Sequence, residues 1–347
     1  MPDTATFQLG PLLIRIEGKH PVTAWAVKTF EAAGENAQSG LTFKFSDSPL
    51  AGESAGTVRL RLPRFDLAVG PGLKVDLFQR AESSIWLDWR TWLGLGNSVE
   101  LGQIQQFAGE VMPFLVECGL LNDGCSLAHA AAMAVGDEAL LVAGGSRVGK
   151  TSMLLPAVLK GKGKFLADDQ AIVDQSGVVH LNPMPVRLYD DNLQCSPELS
   201  KFDSLAGKLR RRVYRSPTVR WIRPQDVFGP EKLARSARLS EVILLIQGSS
   251  DQFDFRPASP EEAAGLCGTM IAEELHGFAE QIADGNAVLP TETAMCDAIR
   301  GIFESALAGR RCGVVTVPPR GDPDELVRFA RRHSPLLDAA LGLAARI

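Results

Sequence analysis

Gly144-Gly145-Ser146-Arg147-Val148-Gly149-Lys150-Thr151 satisfies the pattern G-x-x-x-x-G-K-[ST]. Glycines in such a stretch let the backbone curl until its N–H groups point inward around phosphate oxygens. The helix that follows adds its positive N-terminus. A lysine at the position of Lys150 reaches the β- and γ-phosphates, and a hydroxyl at the position of Thr151 joins a Mg²⁺ shell, with Ser152 next in line. An apolar strand-like run, Ala139–Ala143, leads in, and an apolar helix-compatible run leads out to Leu159. The stretch therefore predicts an α/β domain whose phosphate loop sits at a strand-to-helix turn.

Upstream, Leu127–Val135 and Ala139–Ala143 are small-residue apolar runs joined by Gly136-Asp137-Glu138, a predicted β-hairpin. That hairpin carries His129 toward the edge that holds the phosphate loop. Downstream, the basic turn Lys160–Lys164 leads to a short strand, Phe165-Leu166-Ala167, which ends in Asp168-Asp169. Successive strand side chains face opposite ways, so two adjacent acids reach one site only where a strand ends. Such a pair can divide the labour: one carboxylate holds Mg²⁺ through water, and the other accepts the proton of an attacking hydroxyl.

The remaining text organises the chain into two domains, 1–102 and 103–347. Residues before 103 read mainly as strands, with alternation at Leu41/Phe43/Phe45, Thr57–Leu62 and Leu73/Val75/Leu77, and one short helix over Ala24–Ala33. Four of the five tryptophans, Trp25, Trp86, Trp89 and Trp92, fall here and read as core or interface. A helix over Gln103–Leu120 reads as a bridge between the halves. Strands at Ala171–Val173, Val178–Leu181, Val242–Ile246 and Gly313–Val317 follow, with helices near 260–282 and 292–308. A last helix opens at Asp322-Pro323.

A net charge of −5 argues against a dedicated nucleic-acid binder. No uncharged apolar run reaches the ~18 residues of a membrane helix, and the N-terminus lacks the build of a signal peptide. Six cysteines and five histidines are dispersed with no zinc-ligand spacing, as expected of buried thiols in a reducing cytoplasm. No N-K-x-D follows the phosphate loop and no L-S-G-G-Q occurs, which disfavours a GTPase and an ABC-type ATPase. The run Lys208–Arg215 is the strongest basic stretch. Arg211 within it and Arg187 nearer the acids compete as a clamp for a phosphoryl group or an acidic acceptor.

His129, the hairpin, the phosphate loop and Asp168-Asp169, in that order, resemble the catalytic domain of HPr serine kinase/phosphorylase. That family shares a phosphoenolpyruvate-carboxykinase-like nucleotide core. The resemblance covers residues 125–190 and extends toward about 320; Asn182-Pro183-Met184-Pro185-Val186-Arg187 also resembles the strand and loop after the acid pair in shorter HPr-kinase-like proteins. It implies an α/β fold, with an HPr-kinase-like P-loop domain behind a β-rich N-terminal domain. It further implies ATP on Gly144–Thr151, Mg²⁺ managed by Thr151 and the acids, Asp169 as general base, and His129 in support. The activity implied is transfer of the γ-phosphoryl group to a hydroxyl, serine of a protein or peptide; the chain reads as cytoplasmic, and the sequence leaves a homo-oligomer open. A small-molecule kinase acting on free serine or another metabolite is an alternative, as is a nucleotide-binding regulatory module without transfer. Ser152 stands where the family places an acid, and the upstream strands differ from the family's usual N-terminal domain. The reading is thus a divergent kinase on the same core.

Overall fold

The computed structural model describes residues 3–30, 40–46, 50, 57–61, 65–79, 104, 107–189, 192, 197–202, 220–279, 289–319 and 321–342. The chain divides into two compact units, Met1–Gly124 with Ala272–Ile299, and Cys125–Ile271 with Arg300–Ile347.

Among the described residues the first unit is a six-stranded sheet with helices. Its elements are β1 (Thr4–Leu9), β2 (Leu12–Glu17), α1 (Pro21–Thr29), β3 (Leu41–Ser46), β4 (Val58–Arg61), β5 (Phe65–Gly70) and β6 (Lys74–Gln79). The strand order is β1-β2-β3-β6-β5-β4. Alternation puts Phe7, Leu9, Leu41, Phe43, Val75 and Leu77 inside. Helix α1 starts earlier than the apolar spacing suggests because Pro21 pre-sets the first turn and His20 caps it, Nδ1 accepting from Val22 N at 3.2 Å. Trp25 is half-buried, edge-on to Phe30; Trp86, Trp89 and Trp92 lie outside the described residues. A π-helical turn, Phe107–Val111, runs into α2 (Met112–Asn122). Phe107 packs edge-on against Phe43 with centroids 5.0 Å apart. The helix read as a bridge is therefore grouped with this unit.

The second unit holds the glycine-rich loop Gly144–Thr151. In order come β7 (Cys125–Ala128), β8 (Ala130–Val135), β9 (Glu138–Gly144), α3 (Lys150–Leu159), β10 (Lys164–Ala167), β11 (Ala171–Asp174), β12 (Val178–His180), β13 (Val186–Leu188), β14 (Arg220–Ile222) and α4 (Pro224–Phe228). Then follow β15 (Ser236–Gln247), β16 (Asp254–Ala258), α5 (Pro260–Ala279, in this unit through Ile271), α6 (Glu292–Leu307, in this unit from Arg300), β17 (Arg311–Val317), α7 (Pro323–Arg331) and α8 (Pro335–Leu341). Among the described residues nine strands form one mixed sheet, and β13 pairs with β14 separately.

Two features of this sheet position the site. β8 and β9 form the expected hairpin, with Gly136 at φ +62° in its turn. β15 runs parallel to β9 on one side and to β17 on the other, with Gly144 opposite Leu245 and Gln247 opposite Val317. These parallel strands are apolar on both faces, as a covered parallel sheet requires. Helix α3 buries Met153, Leu154, Ala157 and Val158 in the same core as Val142 of β9, Leu245 of β15 and Leu326 of α7. That packing fixes where the first turn of α3 points. Among the described residues no helix is long and apolar enough to cross a membrane.

Candidate functional site

The glycine-rich loop Gly144–Thr151 leaves β9 at Gly144 and enters α3 at Lys150. Gly144 is required by close packing, since a Cβ there would lie 2.6 Å from the Leu245 carbonyl oxygen. Gly149 sits at φ +105°, where side chains are strained, and a Cβ would lie 2.6 Å from Leu326 Cδ2. A Cβ on Gly145 would meet nothing within 4 Å. Gly145, Ser146 and Arg147 are exposed, and Val148 is half-buried. The loop is thus held from below and open above. Buried Lys150 bends back over it, its Nζ donating to the carbonyl oxygens of Gly144 at 2.8 Å and Gly145 at 2.9 Å.

The acid pair sits in a break within a long ladder. β7–β8 and β10–β11 pair antiparallel through Ala128↔Ala171 and Ala132↔Ala167, and His129 and Asp168–Gln170 fall at the break between the pairs. Ala130 N still donates to Asp169 O at 3.1 Å, so pairing survives. Asp169 takes φ +69°, a conformation that favours Asp over most non-glycine residues. That kink, just past the end of β10 at Ala167, turns two consecutive carboxylates toward one place. Asn182 staples it from behind, donating to Gln170 O through Nδ2 at 2.7 Å and to Leu166 O through its backbone N–H at 2.8 Å.

The two carboxylates have different company. Asp168 is buried; its Oδ1 accepts from Thr151 Oγ1 at 2.6 Å and its Oδ2 from Arg187 N at 3.1 Å. Asp169 Oδ1 lies 3.2 Å from His129 Nε2 and 4.0 Å from Lys150 Nζ, while Oδ2 lies 2.8 Å from Arg187 Nη1. Burial pushes Asp168 up to about 6; the Thr151 hydroxyl, the Arg187 N–H and Lys150 resist the rise, and the Asp169 charge adds to it. Burial also opposes ionisation of Asp169. The His129 hydrogen bond and the charges of Arg187 and Lys150 outweigh it and hold Asp169 at about 2.

The structure therefore gathers Lys150, Thr151, Asp168, Asp169, His129 and Arg187 around the first turn of α3. Ser152 faces another partner, its Oγ accepting from Asn192 Nδ2 at 3.1 Å. Arg211, with the whole Lys208–Arg215 run, lies outside the described residues. Two residues of this neighbourhood carry no short-range sequence signal. Trp221 supports Arg187 from β14, with the guanidinium carbon 4.7 Å from the ring centroid. Asn192 is buried and accepts from Tyr189 N at 3.0 Å while holding Ser152, which ties the chain after β13 to α3.

The residues fit a Mg-bound triphosphate in two respects. The loop is open where a Cβ at Gly145 would stand, and a hydroxyl and a buried carboxylate already face each other at Thr151 and Asp168. Among the described residues no cluster of three or more His, Cys, Asp or Glu could hold a metal by itself. Mg²⁺ here would take most of its oxygens from phosphate and water, its usual habit.

No protein-family model matches the chain, and no curated protein matches it in sequence. Among solved structures, the Hpr(Ser) kinase/phosphatase from Coxiella burnetii is similar over 60% of this chain and 95% of that one, with 11% identity and a TM-score of 0.29. At that level of likeness neither fold nor function transfers, and the chemistry must come from the side chains themselves.

Proposed function

We propose that the second unit is an ATP- and Mg²⁺-dependent kinase that moves the γ-phosphoryl group to a hydroxyl, with serine of a protein or peptide as acceptor. One observation carries the reading: two carboxylates converge on the first turn of the phosphate-loop helix in different roles, one on Thr151 and one among Lys150, His129 and Arg187. A site that only held phosphate has no use for the second acid, which repels phosphate. A transfer site does.

In this reading Gly144–Thr151, with Ser152 behind, cradle the nucleotide, and Thr151 and Asp168 would hold Mg²⁺, which supplies charge neutralisation on the phosphates. Lys150 leaves the loop carbonyls for phosphate oxygens. The acceptor oxygen bonds to γ-phosphorus, the bond from γ-phosphorus to the β–γ bridging oxygen breaks, and ADP departs with that electron pair. Asp169 orients the hydroxyl and takes its proton, while His129 steadies the carboxylate. Held at about 2, Asp169 is ionised at neutral pH, so it is always ready, though a weak base. Arg187 can pass from Asp169 to an equatorial phosphoryl oxygen, where its fork suits bidentate contact.

The test is transfer from γ-labelled ATP to a serine-containing peptide library. Label on serine, lost in Asp169→Asn, supports the reading. Lys150-dependent ATP binding with label only on ATP or released to water would make the unit a nucleotide-binding module instead.

A further inference from the structure

His129 and the two acids lie on one flank of the loop's strand. His129 precedes β8, and Asp168 and Asp169 follow β10, with β8 next to β9 and β10 next to β8. The reacting end of a phosphate chain on this loop therefore faces β8 and β10, and the nucleoside end must leave the other way. There β15 and β17 run parallel to β9 and finish level with the loop. Neighbouring strands are about 4.8 Å apart, so the end of β17 stands roughly 10 Å from β9, a distance that ribose and base can cover. Ligands of open α/β sheets lie outside the carboxyl ends of the strands.

We propose that the ribose and base of the bound nucleotide lie across the carboxyl ends of β15 and β17, on a ledge made by the turn Gly248–Phe253 and the residues Pro318, Pro319 and Gly321. This rests on the nucleotide reading above. The two turns are joined, because Gly248 N donates to Val317 O at 2.9 Å and a Cβ on Gly321 would stand 3.1 Å from Phe253 Cζ. Phe253 stacks on Phe329 of α7 with centroids 5.5 Å apart, and Leu326 of the same helix abuts Gly149. The ledge and the last loop glycine thus belong to one packed body. Its exposed surface offers the ring of Pro319 for an apolar base face and the Gln252 amide for a polar base edge. The exposed Asp251 carboxylate is wrong for phosphate and right for a ribose hydroxyl.

Photolabelling the full chain with 8-azido-ATP and mapping the modified peptide tests this. Label within 248–253 or 317–322, displaced by ATP, is expected; label within 184–202 or 220–233 would overturn the ledge. Calorimetry with ATP and with inorganic tripolyphosphate gives the second arm. Gln252→Ala combined with Pro319→Ala should weaken ATP about tenfold and leave tripolyphosphate unchanged, a contrast worth about one hydrogen bond. Equal affinities of wild type and this variant for ATP would also overturn the ledge. Failure of the wild type to bind either probe would instead overturn the nucleotide reading beneath it.

Discussion

Replacing Asp169 with Asn separates the role of its charge from that of its shape. The carboxylate lies beside two cations, at 2.8 Å for Arg187 and 4.0 Å for Lys150, and 3.2 Å from the His129 ring nitrogen. Those contacts lower it from 3.8 to about 2, roughly two units, or about 2 to 3 kcal/mol favouring the ionised form. Asn keeps part of the hydrogen bonding, so the stability lost should not exceed that figure. For a unit of this size the fall in Tm is at most roughly 4–12 °C, and the variant stays folded at 25 °C. Nucleotide binding should hold or tighten, because Lys150 loses a competing anion. Transfer should fall by about two to four orders of magnitude, the usual worth of a positioned proton acceptor. Calorimetry with Mg·ATP and a label-transfer time course at saturating nucleotide read the two effects separately. Transfer within about threefold of wild type, or loss of nucleotide binding with the fold intact, would refute the assignment.

Gly149→Ala should destabilise by about 2 to 3 kcal/mol, from its φ of +105° and the Leu326 clash, with partial relief when Leu326→Ala is added; urea melts of the single and double variants measure this. Asn192→Ala should lower kcat more than it raises the KM for ATP, since it frees the chain after β13 but removes no loop donor, and Asn192→Asp should rescue little because it lacks the amide that reaches Ser152. Asp174 is held below its usual value: burial opposes this, but Ser176, the Val178 N–H and His180 outweigh it. A depressed carboxylate adds stability that is present above its unfolded value and lost as pH falls through the folded one. The Tm gap between wild type and Asp174→Asn should therefore be full at pH 7 and shrink below about pH 4, as thermal melts across that range would show.

The second unit was legible in the sequence where local chemistry determines local structure. The β8–β9 hairpin, the loop Gly144–Thr151 and the start of α7 at Asp322 follow from glycine, proline and capping residues acting within a few positions. The acid pair was legible as a pair, but its geometry was not. The expected strand end is there, since β10 stops at Ala167, but the turn that follows is made by a left-handed Asp169, after which the chain resumes as β11. Nothing in a short window foretells that conformation. Trp221 and Asn192 were illegible for another reason: each meets its partner only through pairing between distant segments, Arg187 with Trp221 in one case and Ser152 with Asn192 in the other. Arg187 and Arg211 look equivalent by charge; Arg187 reaches Asp169 through its guanidinium and Asp168 through its N–H, and Arg211 lies outside the described residues.

The most direct measurement is a calorimetric titration of Mg·ATP into the wild type and into Lys150→Ala. Lys150 is buried at the base of an open loop and is the loop's strongest phosphate donor in the proposed site. Charge-assisted hydrogen bonds of this kind contribute about 1.5–3 kcal/mol, so the wild type should bind and the variant should be weaker by roughly 10- to 100-fold. Equal affinity in the two proteins, or no binding to the wild type at millimolar nucleotide, would contradict a triphosphate site at Gly144–Thr151.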